Sequence, residues 1–437
     1  MAGGAAIRSR LDSVIFVILL IIPAIGAIVF GAVDQITWTL FFAVWAVLIV
    51  LWLIDAWQRG ALLLNPSTLL LPLFGLLLIG GLQLILPGRA GSIDPSATYF
   101  FELRLIVLTT FFAGYLTFID NEARLSKAVN FIVIFGASMA FYGILQRLAS
   151  PDGIYGLRET PQSIPFGPFV NQHHFAAFME MTGGLTLGLL FGKHASRDRR
   201  VLLGTAVIIM GAAVAFTSSR GGMLAFTAVL CFVLLFTLVS RASDSATSRG
   251  GYLGIAAAGL GLLMVVFGLV LFLGGNDPLL RSAGFSDLPN GDLSNGRFSF
   301  WRGAVEIFFR HPILGTGLDT FEFAFTSVDT WPGIFRVERA HNDYLQTLTD
   351  SGIAGFACVV AFIVLLFRQG VRAVRNSYEY RRDAAVGALA GCFGILVHSF
   401  FDFPLRTYSN AFFFVLLAAI ATVPIAEEQR RRRKHHG

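Results

Sequence analysis

Stretches of about twenty apolar residues recur from near the start of this chain almost to its end, and that recurrence restricts the fold more than any motif does. A helix that crosses the hydrocarbon of a bilayer needs ~20 mostly apolar residues. In lipid the backbone must satisfy its own hydrogen bonds, so an uninterrupted apolar run that spans does so as a helix. Read in order, spans fall at Val14–Val33, Ile36–Ile54, Ser67–Leu86, Phe100–Ile119, Ala128–Leu148, Phe175–Phe191, Val201–Phe216, Gly222–Val239, Tyr252–Leu273, Ile353–Phe367, Ala384–Phe400 and Ala411–Ile425. The expected fold class is all-α integral membrane, with about twelve transmembrane helices forming a single polytopic domain over residues 1–437. Composition agrees, with 14% charged residues and a mean hydropathy of +0.70, against about 25% charged in a soluble domain. The first run is long for the core of a signal peptide and reads as an uncleaved first helix.

Two breaks in the apolar pattern stand out, a long one at Gly275–Gly352 and a shorter one at Ser150–His174. Cytoplasmic segments carry the excess of Lys and Arg. With the termini and alternate connections assigned to the cytoplasm, that side holds 21 of the 33 basic residues, most of them in Lys193–Arg200, Arg368–Arg382 and Arg430–Lys434, so both termini are expected inside and both long breaks outside. The basic run Arg430–Lys434 reads as part of this positive-inside bias rather than as a nucleic-acid patch. The three cysteines fall within spans, outside any loop where an oxidising compartment pairs them. No cysteine spacing or carboxylate cluster of metal-binding type occurs, and no metal or other cofactor is expected.

The outer-facing segments carry the polar chemistry. Charged groups at the outer ends of spans, Glu102 and Arg104, with Gln146 and Arg147, are expected to snorkel to the interface. Asn171 can cap the sixth span, leaving His173 and His174 in its first turn, where a structural role and a ligand role both stay open. Glu180, deeper in that helix, is expected to line a cavity. In T-S-S-R-G-G (Thr217–Gly222), Arg220 stands beside two glycines and the start of a helix, a setting suited to an anion. Phe298–Arg310 has helical periodicity with Arg302, Glu306 and Arg310 on one face and Trp301, Val305, Phe308 and Phe309 over much of the rest. Such a helix lies flat at the interface and holds Arg297 near the surface. A second loop helix is expected from His341 through Leu348, broken near Gly352. Asp402 and Arg406 approach the same surface from the last outer turn.

Four stretches together resemble the O-antigen ligase and polymerase superfamily. They are S-S-R-G-G at Ser218–Gly222, G-R-x-x-x-W from Gly296 with the following H-P-I-L-G-T-G (His311–Gly317), A-H-N-D-Y-L-Q at Ala340–Gln346, and H-S-x-x-D-F-P-L at His398–Leu405. Their order and spacing across spans carry the likeness, over roughly residues 170–425. The resemblance implies a membrane glycosyltransferase of the bacterial inner membrane, active on the periplasmic side, that moves a glycan from an undecaprenyl diphosphate carrier to an acceptor hydroxyl in surface polysaccharide synthesis. It places the two family arginines on Arg220 and Arg297 and the family histidine on His341, the implied catalytic residues. His173, His174, Glu180, Trp301, Arg339, Asn342, Asp402 and Arg406 are the expected substrate-binding residues around them. The implied partners are the lipid-linked donor, a glycan, lipid A-core or protein acceptor, and the bilayer, with no nucleic acid.

Elementary chemistry agrees. Arginine's planar fork binds phosphate oxygens bidentately and keeps its charge, and a histidine near two guanidiniums is disfavoured as the cation and suited to act as a base. A lipid-linked glycan flippase or transporter is the alternative. Transporters place their sites near the midplane on broken helices of an internal repeat, whereas here the polar groups gather on one side and the halves show no repeat. Polymerase, ligase and protein oligosaccharyltransferase are not separated by these residues.

Overall fold

The computed structural model describes residues 10–149, 153–161, 163–244, 296–330, 336–377 and 379–425. The described residues form thirteen α-helices: α1 Arg10–Ile28, α2 Gln35–Arg59, α3 Leu70–Ile85, α4 Pro95–Phe118, α5 Glu122–Ala149, α6 Gln172–Phe191, α7 Arg197–Phe216, α8 Arg220–Asp244, α9 Arg297–Arg310, α10 Phe321–Phe325, α11 Asp343–Asn376, α12 Glu379–His398 and α13 Tyr408–Thr422. The described residues contain no named strand, only two isolated bridges in the loop before α6. The protein is all-α and integral to a membrane. Among the described residues eight helices are long and apolar enough to cross one, and α3 and α13 are shorter apolar helices.

Eleven of the twelve expected spans are helices here; the twelfth, Tyr252–Leu273, lies outside the described residues, as does the first part of the long loop, 275–295. α12 carries Arg381, Arg382 and Asp383 in its first turn, which leaves a shorter apolar stretch behind them. Several helices overrun the apolar runs by a turn because polar residues cap them. Asp94 accepts hydrogen bonds from the amides of Ser96 and Ala97 to start α4 at Pro95, and Asn171 accepts from His173 to start α6. Such a cap is worth ~1 kcal/mol.

Around one post the bundle assembles. α6 and α12 pack together along their lengths, with α8, α7 and α13 around them. α6, α12 and α13 are largely apolar and almost wholly buried, the pattern expected of helices with protein on all faces. Glycine lets the two backbones touch: a Cβ on Gly184 would fall 2.5 Å from the amide nitrogen of Gly391, and one on Gly188 2.3 Å from Gly387 Cα. The spacing Gly-x-x-x-Gly occurs on both helices, and it is the device by which membrane helices gain van der Waals contact where no hydrophobic drive exists. The outer helices α2 and α7 leave large apolar side chains such as Leu40, Leu53, Leu202 and Ile208 exposed, the face that lipid covers.

Arg104 does not snorkel. Its guanidinium lies over Tyr408 (4.9 Å) and Trp38 (5.4 Å) and donates to the Tyr408 hydroxyl at 2.7 Å. Cation–π attraction strengthens when desolvated, which outweighs a stretch towards water. Arg147, by contrast, is exposed. The three cysteines lie in α8, α11 and α12 and are unpaired.

Candidate active site

At one end of the bundle the loops that follow α7, α10 and α12 converge on the first turns of α6, α8, α9 and α11. The connection His311–Gly317 makes this possible. Gly315 and Gly317 take φ of 75° and 123°, and the amides of Thr316 and Gly317 donate to the carbonyls of Thr349 and Asp350 on α11. Gln83 of α3 reaches in to donate to Asp350 O at 2.8 Å and to accept from Leu318 N at 2.9 Å. The expected break in α11 falls at Gly352, with φ 61° and ψ −165°. Any side chain there would strike the carbonyl of Ile313, 2.3 Å from its Cβ. The motif H-P-I-L-G-T-G is thus a clasp that holds the top of α11.

Asn342 caps α11. Its Oδ1 accepts from Tyr344 N and Leu345 N, and its amide donates to Phe400 O. Expected to bind substrate, Asn342 is instead occupied in holding the helix start to the loop after α12. His341 stands just before the cap in left-handed backbone, φ 50°, which costs a non-glycine residue of order 1–2 kcal/mol. Strain of this kind gathers where a side chain must be aimed. Here the imidazole is aimed at Asp402, Nδ1 to Oδ1 3.2 Å. It lies near-parallel to Phe300 with ring centroids 6.1 Å apart and edge-on to Phe403 at 5.0 Å. With Nδ1–H donated to the carboxylate, Nε2 carries the lone pair.

Asp402 is 1% exposed. Burial alone raises a carboxyl's pKa, but the hydrogen bond from His341 and the nearby imidazoles of His341, His173 and His174 hold it well below the usual carboxylate range. Phe403 N also donates to Oδ1.

Arg220 opens α8 and Arg297 opens α9, and the two lie close enough for their charges to repel. Gly296, at φ 80°, sets the direction of entry into α9. One turn on, Trp301 packs edge-on to Phe298, and its indole N–H has no acceptor among the described residues. α9 buries Gly303, Ala304 and Ile307 against α10 and leaves Phe298, Val305 and Phe309 exposed. On the outer face Glu306 takes Arg310 at 2.5 Å.

The two histidines of α6 diverge. His173 meets the Ser219 hydroxyl at 2.7 Å and faces the group of Asp402, His398, Arg297 and His341. His174 meets Thr407 Oγ1 at 2.6 Å, edge-on to Phe403 and buried, so it ties α6 to α13. Glu180, expected to line a cavity, is wholly buried and meets His398 Nδ1 at 2.7 Å. The pair sits behind Gly221, where a Cβ would come within 3.2 Å of His398 Nε2.

Arg406 and Arg339 are saturated by carboxylates. Arg406 bonds Asp319 at 2.9 Å and Asp350 at 2.8 Å, with Asp343 at 3.6 Å, and Arg339 pairs with Asp319. Although burial disfavours the charges, the pairing raises both guanidinium pKa values and lowers that of Asp319. These pairings fix the loops, and Arg406 with Asp343 also lines a cavity of about 190 Å³ beside Arg104 and Tyr408. Sequence reasoning missed the partners Asp319, Asp343 and Asp350, as well as Ser219 and His398. Intramembrane ionisable residues such as Glu180 and His398 were the signal available for one pair. Among the described residues no group of three or more His, Cys, Asp or Glu is placed to hold a metal ion.

Residues 205–360 match the family model described as O-antigen ligase. The match covers a little over a third of the chain and takes in Arg220, Arg297, Trp301, Arg339, His341 and Asn342; His173, His174, Glu180, Asp402 and Arg406 lie outside it. No curated protein matches the chain.

Proposed function

We propose that the chain is a member of the O-antigen ligase superfamily, whose family model matches residues 205–360, and that it transfers a glycan from an undecaprenyl diphosphate carrier to an acceptor hydroxyl. The observation that carries this reading is the meeting, at one end of the bundle, of two helix-opening arginines with an aspartate-oriented histidine. Arg220 and Arg297 offer two guanidinium forks and two helix N-termini to one diphosphate, which removes the repulsion between them. His341 Nε2 takes the proton of the acceptor hydroxyl as its oxygen bonds to the anomeric carbon. The bond from that carbon to the diphosphate oxygen breaks, and the electron pair leaves with the diphosphate, where the arginines stabilise it. Asp402 keeps the proton of the resting imidazole on Nδ1 and stabilises the imidazolium that forms, as the carboxylate does in a Ser-His-Asp triad. His173, held by Ser219, lines the same space. No step needs a metal ion.

In this reading the active end faces the periplasm and both termini the cytoplasm, in the bacterial inner membrane. The grouping of polar residues at one end, away from the midplane, favours transfer over flipping. Polymerase, lipid A-core ligase and protein oligosaccharyltransferase all use this chemistry and differ in acceptor.

The test is His341→Ala. A general base is worth about 10²–10⁴ in rate, so turnover should fall by that factor while binding of the lipid-linked donor persists through the arginines. Both are measured on the same purified variant. Collapse of binding together with turnover makes His341 a ligand or a support; unchanged turnover removes it from the site.

A further inference from the structure

At the opposite end of the bundle lies a cavity of about 690 Å³ that the transfer chemistry does not use. From Ile353 to Arg372, α11 rises about 29 Å at 1.5 Å per residue, close to the ~30 Å of a hydrocarbon core. The cavity therefore lies at the other membrane surface. Arg368, Arg372 and Arg381 line it, with Asn65, Thr68 and Gln369 among the donors around them, and no Asp or Glu among the described residues does. Arg381 forms the buried floor, donating to the carbonyls of Ala421 and Val423. Arg368 and Arg372, one turn apart on the exposed rim, make no ion pair or side-chain hydrogen bond among the described residues. Like charges at i,i+4 destabilise a helix, and an anion between them reverses the sign. Leu71, 65% exposed, stands at the mouth, and Val364, 58% exposed, lies one turn from Arg368 on the same face of α11. A cationic recess bordered by apolar surface fits an amphiphile with a phosphate head.

We propose that this cavity binds the phosphate headgroup of an anionic phospholipid in the leaflet opposite the active end. The guanidinium forks take the phosphate oxygens, Asn65, Thr68 and Gln369 supply further donors, and the acyl chains lie along Leu71 and Val364. The assignment stands apart from the reading of the active site.

The purified full-length protein is titrated in detergent with phosphatidylglycerol, phosphatidylcholine or inorganic phosphate, and followed by native mass spectrometry and by the unfolding midpoint. Phosphatidylglycerol should stay bound and raise the midpoint, and phosphatidylcholine should do neither. Arg368→Gln with Arg372→Gln should weaken phosphatidylglycerol by about ten- to thirty-fold, from the attraction typical of two basic residues at a lipid surface. Arg197→Gln with Arg200→Gln removes equal charge at the same end of the bundle and should leave the affinity unchanged. Equal retention of the two lipids, or an equal loss in the control, overturns the proposal. Inorganic phosphate binding as tightly as phosphatidylglycerol makes the cavity a site for a free anion and removes the lipid from it.

Discussion

Replacing Asp402 by Asn keeps the shape beside His341 and removes the charge that holds its Nδ1 proton. Turnover should drop by about 10²–10⁴ with donor binding retained, since the imidazole then loses its tautomer and the support for its cation. The pH dependence has a definite sign. A carboxylate with a depressed folded pKa stabilises the fold above its unfolded value, ~3.9, and loses that contribution only as pH falls through the folded value. Asp402 is such a group, so the gap in unfolding midpoint between the native protein and Asp402→Asn should be no smaller at about pH 5.5 than at about pH 7.5. Arg297→Lys keeps a charge without the fork and should cost about 10²–10³ in turnover; Arg302→Lys, one turn and a residue along α9, should cost little. Comparable rates for both variants in a glycan-transfer assay would remove Arg297 from the site. At this scale the sequence was only half legible. The motif residues gather at one end of the bundle, but what each side chain faces depends on partners far along the chain. Arg406 finds Asp319 across 87 residues and His398 finds Glu180 across 218, and no local pattern encodes such pairs. Asn342 read as a ligand because Asn suits sugars and helix caps equally well.

Helices are where the sequence spoke most plainly. Apolar runs of span length, a capping Asn171 and a helix-breaking Gly352 all act within a few residues, and the bundle follows them. Which helix sits at the centre was not legible, because an all-apolar run reads the same whether lipid or protein covers it. Glycine spacing settles that for α6 and α12. Gly188→Leu should therefore separate the two helices: a Cβ alone already lies 2.3 Å from Gly387 Cα, and overpacking of a tight core costs ~1–3 kcal/mol or more. Monodisperse protein should fall sharply in size-exclusion chromatography from detergent. Gly204→Leu on α7, where a Cβ meets nothing within 4 Å, should behave as the native chain does; equal behaviour of the two variants would show that α6 and α12 tolerate separation.

Over the whole molecule, the reading of sides rests on the distribution of basic residues. A cysteine at the exposed position Thr330 should react with a membrane-impermeant thiol reagent applied from outside, and one at Asn376, near the far end of α11, should not; the reverse pattern would turn the active end to the cytoplasm. The bend at Gly352 has a consequence at this scale too. α11 behaves as a shaft with a universal joint. Above the joint, nine residues from Asp343 to Ser351 are clamped by the loop at 311–317 and by Arg406; below it, the remainder packs against α3, α12 and α13. A bilayer that is thicker or thinner than the protein's apolar belt is met mainly by helix tilt, at fractions of a kcal/mol per Å. Because tilt of the lower shaft is not transmitted past the joint, the first turn of α11, and His341 with it, should hold its aim in membranes of different thickness.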